Sequence, residues 1–402
     1  MVLTDSFPNN NITFEWCNSV KQIHVSEWET IFGKRDIKSH NLFLAMEEAN
    51  FTDVDYYYLK IYNRGKIASI TPCLDYKLDI IDLLANKKLR DLLNKMRKVS
   101  PNFLKLKTFV VGSYAATCEG FVEILSDKEE DYREIQKIIN RELKKKGKET
   151  KSKFIFIKDV REVEIEKVKN ILNEDFHFFV SFPTTLIPVG GKCTPYPAGL
   201  RSKYKQRCRH AKKLFELDFH WEVINDFSQH TKLLEELYLN VLHKAKNRFE
   251  VLNASFFANI NNRFPEQSFS MIAKNKNGQV RVMTVVLEEE DRLLPLYLGI
   301  EYMNDDARIL YLNTIYKTIE IAEAKGKEFV ELGQTSYDPK VRSGAFLDNV
   351  YYGFSSSGLF RRLLIKHVFK YLFAPPVIST HAYTKEARNE AIEKFRSNGF
   401  RI

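Results

Sequence analysis

The stretch Phe329-Val330-Glu331-Leu332-Gly333-Gln334-Thr335-Ser336-Tyr337-Asp338-Pro339-Lys340 decides the fold. It reads as a short apolar strand that opens, at a glycine, into a polar loop. Working upstream, Gly326 and Lys327 form a turn. Before them comes an amphipathic helix over about Ala307–Ala324, an acidic loop at Asn304 to Asp306, and a second apolar strand, Leu294–Tyr302. Strand, helix, strand in this order is one βαβ unit, with two parallel strands and a covering helix. Ligands of open α/β sheets sit outside the carboxyl ends of such strands. The polar run after Leu332 lies at such an end and is the first place to look for a site.

Further out, elements alternate along the whole chain. The first half offers a strand at Thr13–Cys17, short helices at Ser26–Phe32 (capped by Ser26) and Asn41–Glu48, and a hairpin, Tyr56–Tyr62 with Lys66–Tyr76, around Asn63-Arg64-Gly65. A Leu- and Lys-rich helix is expected over Leu78–Met96, and a charged one over Glu129–Lys146. Strands follow at Leu106–Gly112, Phe154–Ile157 and Phe176–Phe182. Pro183 to Pro197 reads as a linker. The same order then returns: a basic helix at Gly199–Leu217, helices, a hairpin around Gly278, the βαβ unit, a strand at Val350–Phe354, a helix at Leu359–Phe373, a strand at Val377–Ala382 and a helix at Lys385–Asn398. We therefore expect an α/β chain with mixed sheets and two similar domains, 1–183 and 184–402.

At 402 residues, two cores are the prior. The net charge of +10 points to an anionic partner, with a solvated lysine-rich surface as the plain alternative. Five scattered cysteines without a C-x-x-C argue against a disulfide framework or a zinc site and suit a reducing cytoplasm. No run approaches the length that spans a bilayer. A cytoplasmic protein, with peripheral contact at the inner membrane face left open, is the expectation.

Four features resemble the acyltransferase fold of the GNAT superfamily, in its FemXAB-like branch of peptidoglycan-bridge aminoacyltransferases and acyl-CoA-using relatives. They are the basic helix Leu200-Arg201-Ser202-Lys203-Tyr204-Lys205-Gln206-Arg207, the hairpin with Gly278, the helix ending Ala322-x-x-x-Gly326, and the strand and loop from Phe329 through Lys340 to Gly344. Tyr57 to Pro72 resembles the partner domain's Y-x-x-x-x-Y-x-x-G-x-I-A-x-x-x-P. The resemblance implies two tandem GNAT-like domains, with the active site in the second, in the cleft between the two. It also implies N-acyl transfer from an acyl thioester, on coenzyme A or an acyl carrier protein, which would act as co-substrate with no tightly bound cofactor. The acceptor would be the amine of a lipid or cell-envelope precursor. Long-chain amines, as in bacterial ceramide synthesis, would suit the aromatic content. A Fem-type enzyme using aminoacyl-tRNA and a degenerate, non-enzymatic GNAT pair are the alternatives.

Two departures stand out. The turn Met303 to Arg308 lacks the glycines that let backbone amides cradle a pyrophosphate, and its aspartates would repel one. The family's helix after the βαβ unit also has two candidates, Lys340 to Phe346 and Ala391 to Phe400.

Acyl transfer to an amine needs a proton taken from the amine, a donor to the carbonyl oxygen and a proton for the leaving group. Glu331 is the candidate base, or else an exposed strand residue beside a cation. Tyr337 is the candidate acid, or else a loop aromatic on the sheet edge. Lys340 matches the family's lysine and could pair with phosphate or carboxylate, or else faces solvent. His381 is the candidate proton shuttle, or a structural imidazole. Gln334, Thr335 and Arg342 lie just past the strand within reach of a donor. Lys205, Arg207 and Arg209 belong to a helix whose cations surround it, and these six residues are the expected donor-binding set. The helix Leu359–Phe373 is basic and amphipathic. Packing on the sheet and lying on a membrane are its two readings.

Overall fold

The computed structural model describes residues 11–84, 87–115, 118–245, 250–303, 306–369 and 381–402. In chain order its strands are β1 Ile12–Cys17, β2 Asp55–Asn63, β3 Lys66–Asp79, β4 Lys105–Val111, β5 Phe154–Arg161, β6 His177–Val180, β7 Thr184–Pro188, β8 Phe219–Ile224, β9 Ser268–Asn275, β10 Val280–Glu288, β11 Arg292–Ile300, β12 Phe329–Glu331, β13 Phe346–Asp348 and β14 Val350–Ser355.

These form two seven-stranded mixed sheets, one in each of two compact units. Their orders are β1-β2-β3-β4-β5-β14-β6 and, read from its far edge, β8-β9-β10-β11-β12-β7-β13. Position by position the two are the same. Each has one parallel pair, β4 with β5 and β11 with β12, covered by the helices Glu129–Glu149 and Ala307–Ala324. In each, the sixth position is filled by a strand that adjoins, in the chain, the last strand of the other sheet. Thus β7 follows β6 directly, and β14 follows β13. The expected division at 183/184 therefore differs from the observed units at β14, which lies in the first unit with Val350–Pro375. An apolar strand pattern cannot name the sheet in which it is buried.

Local chemistry explains most elements. Arg64 and Gly65, at φ 51° and 74°, give the β2–β3 hairpin the left-handed pair its tight turn requires. Glu129, Glu130 and Asp131 open the helix Glu129–Glu149, and Lys146 and Lys148 close it, matching its dipole. Its Ile135, Ile138, Ile139 and Leu143 form the buried stripe.

Other expectations shift. The helix expected over Leu78–Met96 covers only Lys87–Met96, because Leu78 pairs with Leu106 as the end of β3. The first helix is capped by His24 rather than Ser26. The imidazole accepts from the Ser26 amide while Glu27 reaches back to the His24 amide, a capping box. The basic helix spans Ser202–Asp218. Of Leu359–Phe373, the described part is a helix at Leu359–Leu364 and a π turn at Ile365–Phe369. Residues 370–373, and 377–380 of the last expected strand, lie outside the described residues.

Candidate active site

The two parallel pairs differ in extent. In the first unit β4 and β5 stay paired from Thr108↔Phe154 to Val111↔Ile157. In the second unit β11 and β12 pair only at Arg292↔Phe329 and Leu293↔Val330. Past that point the chain follows β7 instead: Glu331 pairs with Leu186, and the Leu332 N–H donates to the Thr185 carbonyl at 2.8 Å. On its other side β11 continues with β10 as far as Ile300, across an irregularity near Pro295. The strands thus part beyond Leu293 and Val330. The edge of β11 facing that gap has no strand partner among the described residues.

The helix Ala307–Ala324 begins at the carboxyl end of β11, and its positive dipole end lies there. Asp306, at its N-cap, is not left to face an incoming anion. Arg281 on β10 holds it, Nη2 lying 3.0 Å from Oδ2 and 3.1 Å from Oδ1. This amends the expectation that both aspartates repel a phosphate. Asp305 lies outside the described residues.

At the end of β12 the loop is unusual in backbone. Gly333, Thr335 and Ser336 all have positive φ, at 68°, 61° and 49°. Two of the three carry side chains, so the bend stores strain. Lys340 fastens it. Its buried ammonium donates to the carbonyls of Leu332, Gly333 and Gln334 at 2.8, 3.0 and 2.8 Å. The pattern Lys340 to Gly344 thus has a role the sequence reading did not foresee. The lysine does not face solvent; its ammonium holds the loop in shape.

Glu331 stands beside a cation, as one reading expected, but it is buried rather than exposed. Its carboxylate accepts from Thr184 Oγ1 and Arg292 Nη1, both at 2.9 Å. The Tyr337 hydroxyl donates to the Pro183 carbonyl at 3.0 Å. Gln334 is half-buried and Thr335 exposed on the loop. Arg342 is exposed and pairs with Asp338 at 2.6 Å.

Sequence reasoning missed a different phenol. Tyr311 lies in the second turn of the helix Ala307–Ala324, with Ser336 of the strained loop near enough to pull its pKa down slightly. Burial pushes its pKa far above the ordinary tyrosine range, so it stays protonated. Five helical residues further on, Tyr316 is pushed to about 12, again by burial; Arg207 and Arg308 lie within electrostatic reach and pull the other way. The spacing of Arg308 and Tyr311 on the first turns of this helix was the available signal.

The basic helix is not cationic all round. Tyr204, Cys208, Ala211 and Phe215 form a buried stripe facing the helix Ala307–Ala324, where Asn313 Nδ2 donates to the Ala211 carbonyl at 2.9 Å. Lys212 pairs with Glu320. Among the described residues no acid pairs with Lys203, Lys205, Arg207, Arg209 or Lys213 within 4.0 Å. His381 contacts Arg201 just before that helix, and Arg201 Nε donates to the Tyr383 carbonyl at 2.9 Å. The structure therefore gathers Glu331, Gln334, Thr335, Tyr337, Lys340 and Arg342 in one loop and short helix. Lys205, Arg207, Arg209 and His381 belong to the neighbouring basic helix and its approach.

Among solved structures the chain is similar to FemX, at 12% identity and a TM-score of 0.51, covering 88% of this chain and 99% of that one. The chain has a FemXAB-like GNAT fold. Two further similarities are a tandem GNAT protein from the clavulanic acid biosynthesis pathway (9% identity, TM-score 0.47, covering 86% and 99%) and the C-terminal domain of a putative lysylphosphatidylglycerol synthetase from Agrobacterium fabrum (11%, 0.42, covering 66% and 83%). No family model matches the sequence, and no curated protein does. In this GNAT fold the parted strands β11 and β12, the helix Ala307–Ala324 and the loop Gly333–Ser336 make up one end of the second sheet.

Proposed function

We propose that this chain is an N-acyltransferase, moving an acyl group from a phosphate-bearing carrier to an amine. The parting of β11 and β12 after Leu293 and Val330 carries the reading. An unpartnered strand edge can hydrogen-bond an extended, amide-bearing arm and can aim an N–H at a carbonyl oxygen. The start of the helix Ala307–Ala324, with Arg308 exposed in its first turn, favours phosphate. Lys205, Arg207 and Arg209, with Gln334, Thr335 and Arg342, supply further contacts for the donor.

In the reaction the amine nitrogen bonds to the acyl carbon as the carbon–sulfur bond of a thioester breaks. Tyr311 is our candidate for protonating the departing thiolate, and the proton that the amine nitrogen sheds as the amide forms returns to the Tyr311 phenolate through water. Direct attack needs positioned groups and no covalent enzyme intermediate. Lys340, Glu331 and Tyr337 act by holding the loop, and His381 stays our candidate proton shuttle, beside Arg201 at the approach to the basic helix. An acyl thioester on coenzyme A or a carrier protein is the donor we favour, and an amine of a lipid or cell-envelope precursor the acceptor. The unpaired cations of the helix Ser202–Asp218 and the Fem-type resemblance support a second reading, with aminoacyl-tRNA as donor.

Native mass spectrometry of the protein from its own cells, followed by denaturing extraction, tests both. A co-purifying acyl-CoA or acylated amine supports the first reading and names the chain length. Co-purifying tRNA moves the second ahead. The deciding assay offers the purified chain acyl-CoA or aminoacyl-tRNA with an amine. No amide product from either would sink the transferase reading.

A further inference from the structure

The segment after β14 is amphipathic the wrong way round. In the helix Leu359–Leu364 no residue is buried. Leu359, Phe360 and Leu363 occupy one arc of about 100° at helical spacing, and they are 75%, 78% and 51% exposed. The opposite arc carries Arg361 and Arg362, and these turn toward the protein. Arg361 Nε donates to Ser356 Oγ at 2.8 Å, and Arg362 Nε to the Ser356 carbonyl at 2.9 Å; Arg362 also pairs with Asp175. The following turn is anchored from below by Ile365 and Phe369, the latter against Phe354 with ring centroids 5.1 Å apart. Charges therefore tie the segment down while its apolar side chains project into solvent. Both readings of the segment therefore find a face: Ile365 and Phe369 pack inward, while Leu359, Phe360 and Leu363 stand free of the protein.

Beside the projecting residues lie cations. Lys366 and His367 are exposed, and Lys366 has no acidic partner among the described residues. The half-buried His177 is held below the ordinary imidazole range by burial, then by the charges of Lys366 and Arg362. A second stripe on the same unit has the same make-up. Leu92, Met96 and Val99, spaced i, i+4, i+7, are 58%, 48% and 90% exposed, flanked by exposed Lys88, Lys95 and Lys98.

Single exposed apolar residues need no explanation, but stripes of them rimmed by cations do. We infer that the first unit seats on an anionic lipid surface, inserting Leu359, Phe360 and Leu363, with Lys366 and the Lys88–Val99 stripe adding contact. Apolar side chains that enter the interface beside cations that meet anionic headgroups are what such a surface selects. Among the described residues no helix is long and apolar enough to cross a membrane, so this contact is peripheral. The inference stands apart from acyl transfer, because vesicle binding needs neither donor nor acceptor.

The test is flotation of the full chain with vesicles of phosphatidylcholine alone or mixed with phosphatidylglycerol. We expect binding to the mixed vesicles, weakened by salt, and little to the neutral ones. Phe360→Glu with Leu363→Glu should weaken partitioning by about tenfold or more, with an unchanged melting temperature because both side chains are exposed. Leu92→Glu with Met96→Glu should weaken it less. No flotation with anionic vesicles, or undiminished flotation of the Phe360 and Leu363 variant, overturns the inference. So does a dimer in sedimentation velocity that this variant abolishes, because the patch would then cover itself with a second copy.

Discussion

Arg281 and Asp306 form a partly buried ion pair at the head of the helix Ala307–Ala324, guanidinium nitrogen to carboxylate oxygens at 3.0 and 3.1 Å. The pair sets the charge that an incoming phosphate meets. Asp306→Asn leaves Arg281 as an unpaired cation there, and the KM for an anionic donor should fall by about two- to fivefold, with kcat little changed. Arg281→Met should raise that KM and also destabilise the chain, by about 3–5 kcal/mol, because a carboxylate loses its partner. Steady-state kinetics with a short-chain acyl-CoA checks the opposed signs.

Lys340 tests whether a family lysine is chemical or architectural. Lys340→Met strands three carbonyls that now accept from one ammonium. Urea denaturation should show a loss of about 3 kcal/mol. Any loss of transfer should come with an unchanged pH profile, since no titrating group of the reaction has been removed. A new limb in the profile would restore Lys340 to the chemistry.

Two tyrosines can be set against each other. Tyr337→Phe deletes one hydrogen bond, to Pro183, and should cost about 1 kcal/mol with a modest effect on rate. Tyr311→Phe should lower kcat by about a hundredfold if Tyr311 delivers the leaving-group proton. A donor with an acidic thiol leaving group should recover much of that loss. Equal effects from the two variants would leave neither phenol as the acid.

His177 makes the first unit sensitive to mild acid. Burial, then Lys366 and Arg362, lower its folded affinity for a proton. The unfolded chain therefore binds the proton first, and stability falls as the pH drops through the ordinary imidazole value of about 6.5. Asp175 also has a lowered pKa, through hydrogen bonding to Lys144 and the nearby charge of Arg362, and for a carboxylate that shift adds stability. Its contribution is full above the ordinary carboxylate value of about 3.9 and fades below it. Thermal melts of His177→Gln should show a shallower decline in the milder window, with the lower one intact.

The hairpin at Asn63-Arg64-Gly65, the βαβ unit and the basic helix were legible because each depends on near neighbours: turn glycines, helical stripes, charge runs. The strand β14 was legible as a strand, but its sheet was not. Tyr337, Lys340 and Glu331 were legible as the loop at the strand end. Their partners were not, since Glu331 meets Thr184 from 147 residues away. Tyr311 carries no mark in sequence because its burial, and the nearness of Ser336, depend on elements far apart in the chain.

The sequence by itself determined the periods of its apolar residues, and with them two rounds of strands and helices, a βαβ unit and a surplus of positive charge. Those are properties of neighbours along the chain. Only the tertiary structure decided that β11 and β12 part after two pairs, that Lys340 is consumed by its own loop, that Arg281 covers Asp306, and that Phe360 points outward while Arg362 points in. Each depends on which distant group satisfies a buried charge or a backbone carbonyl. A hydrogen-bond donor carries no mark in sequence of the acceptor it will meet.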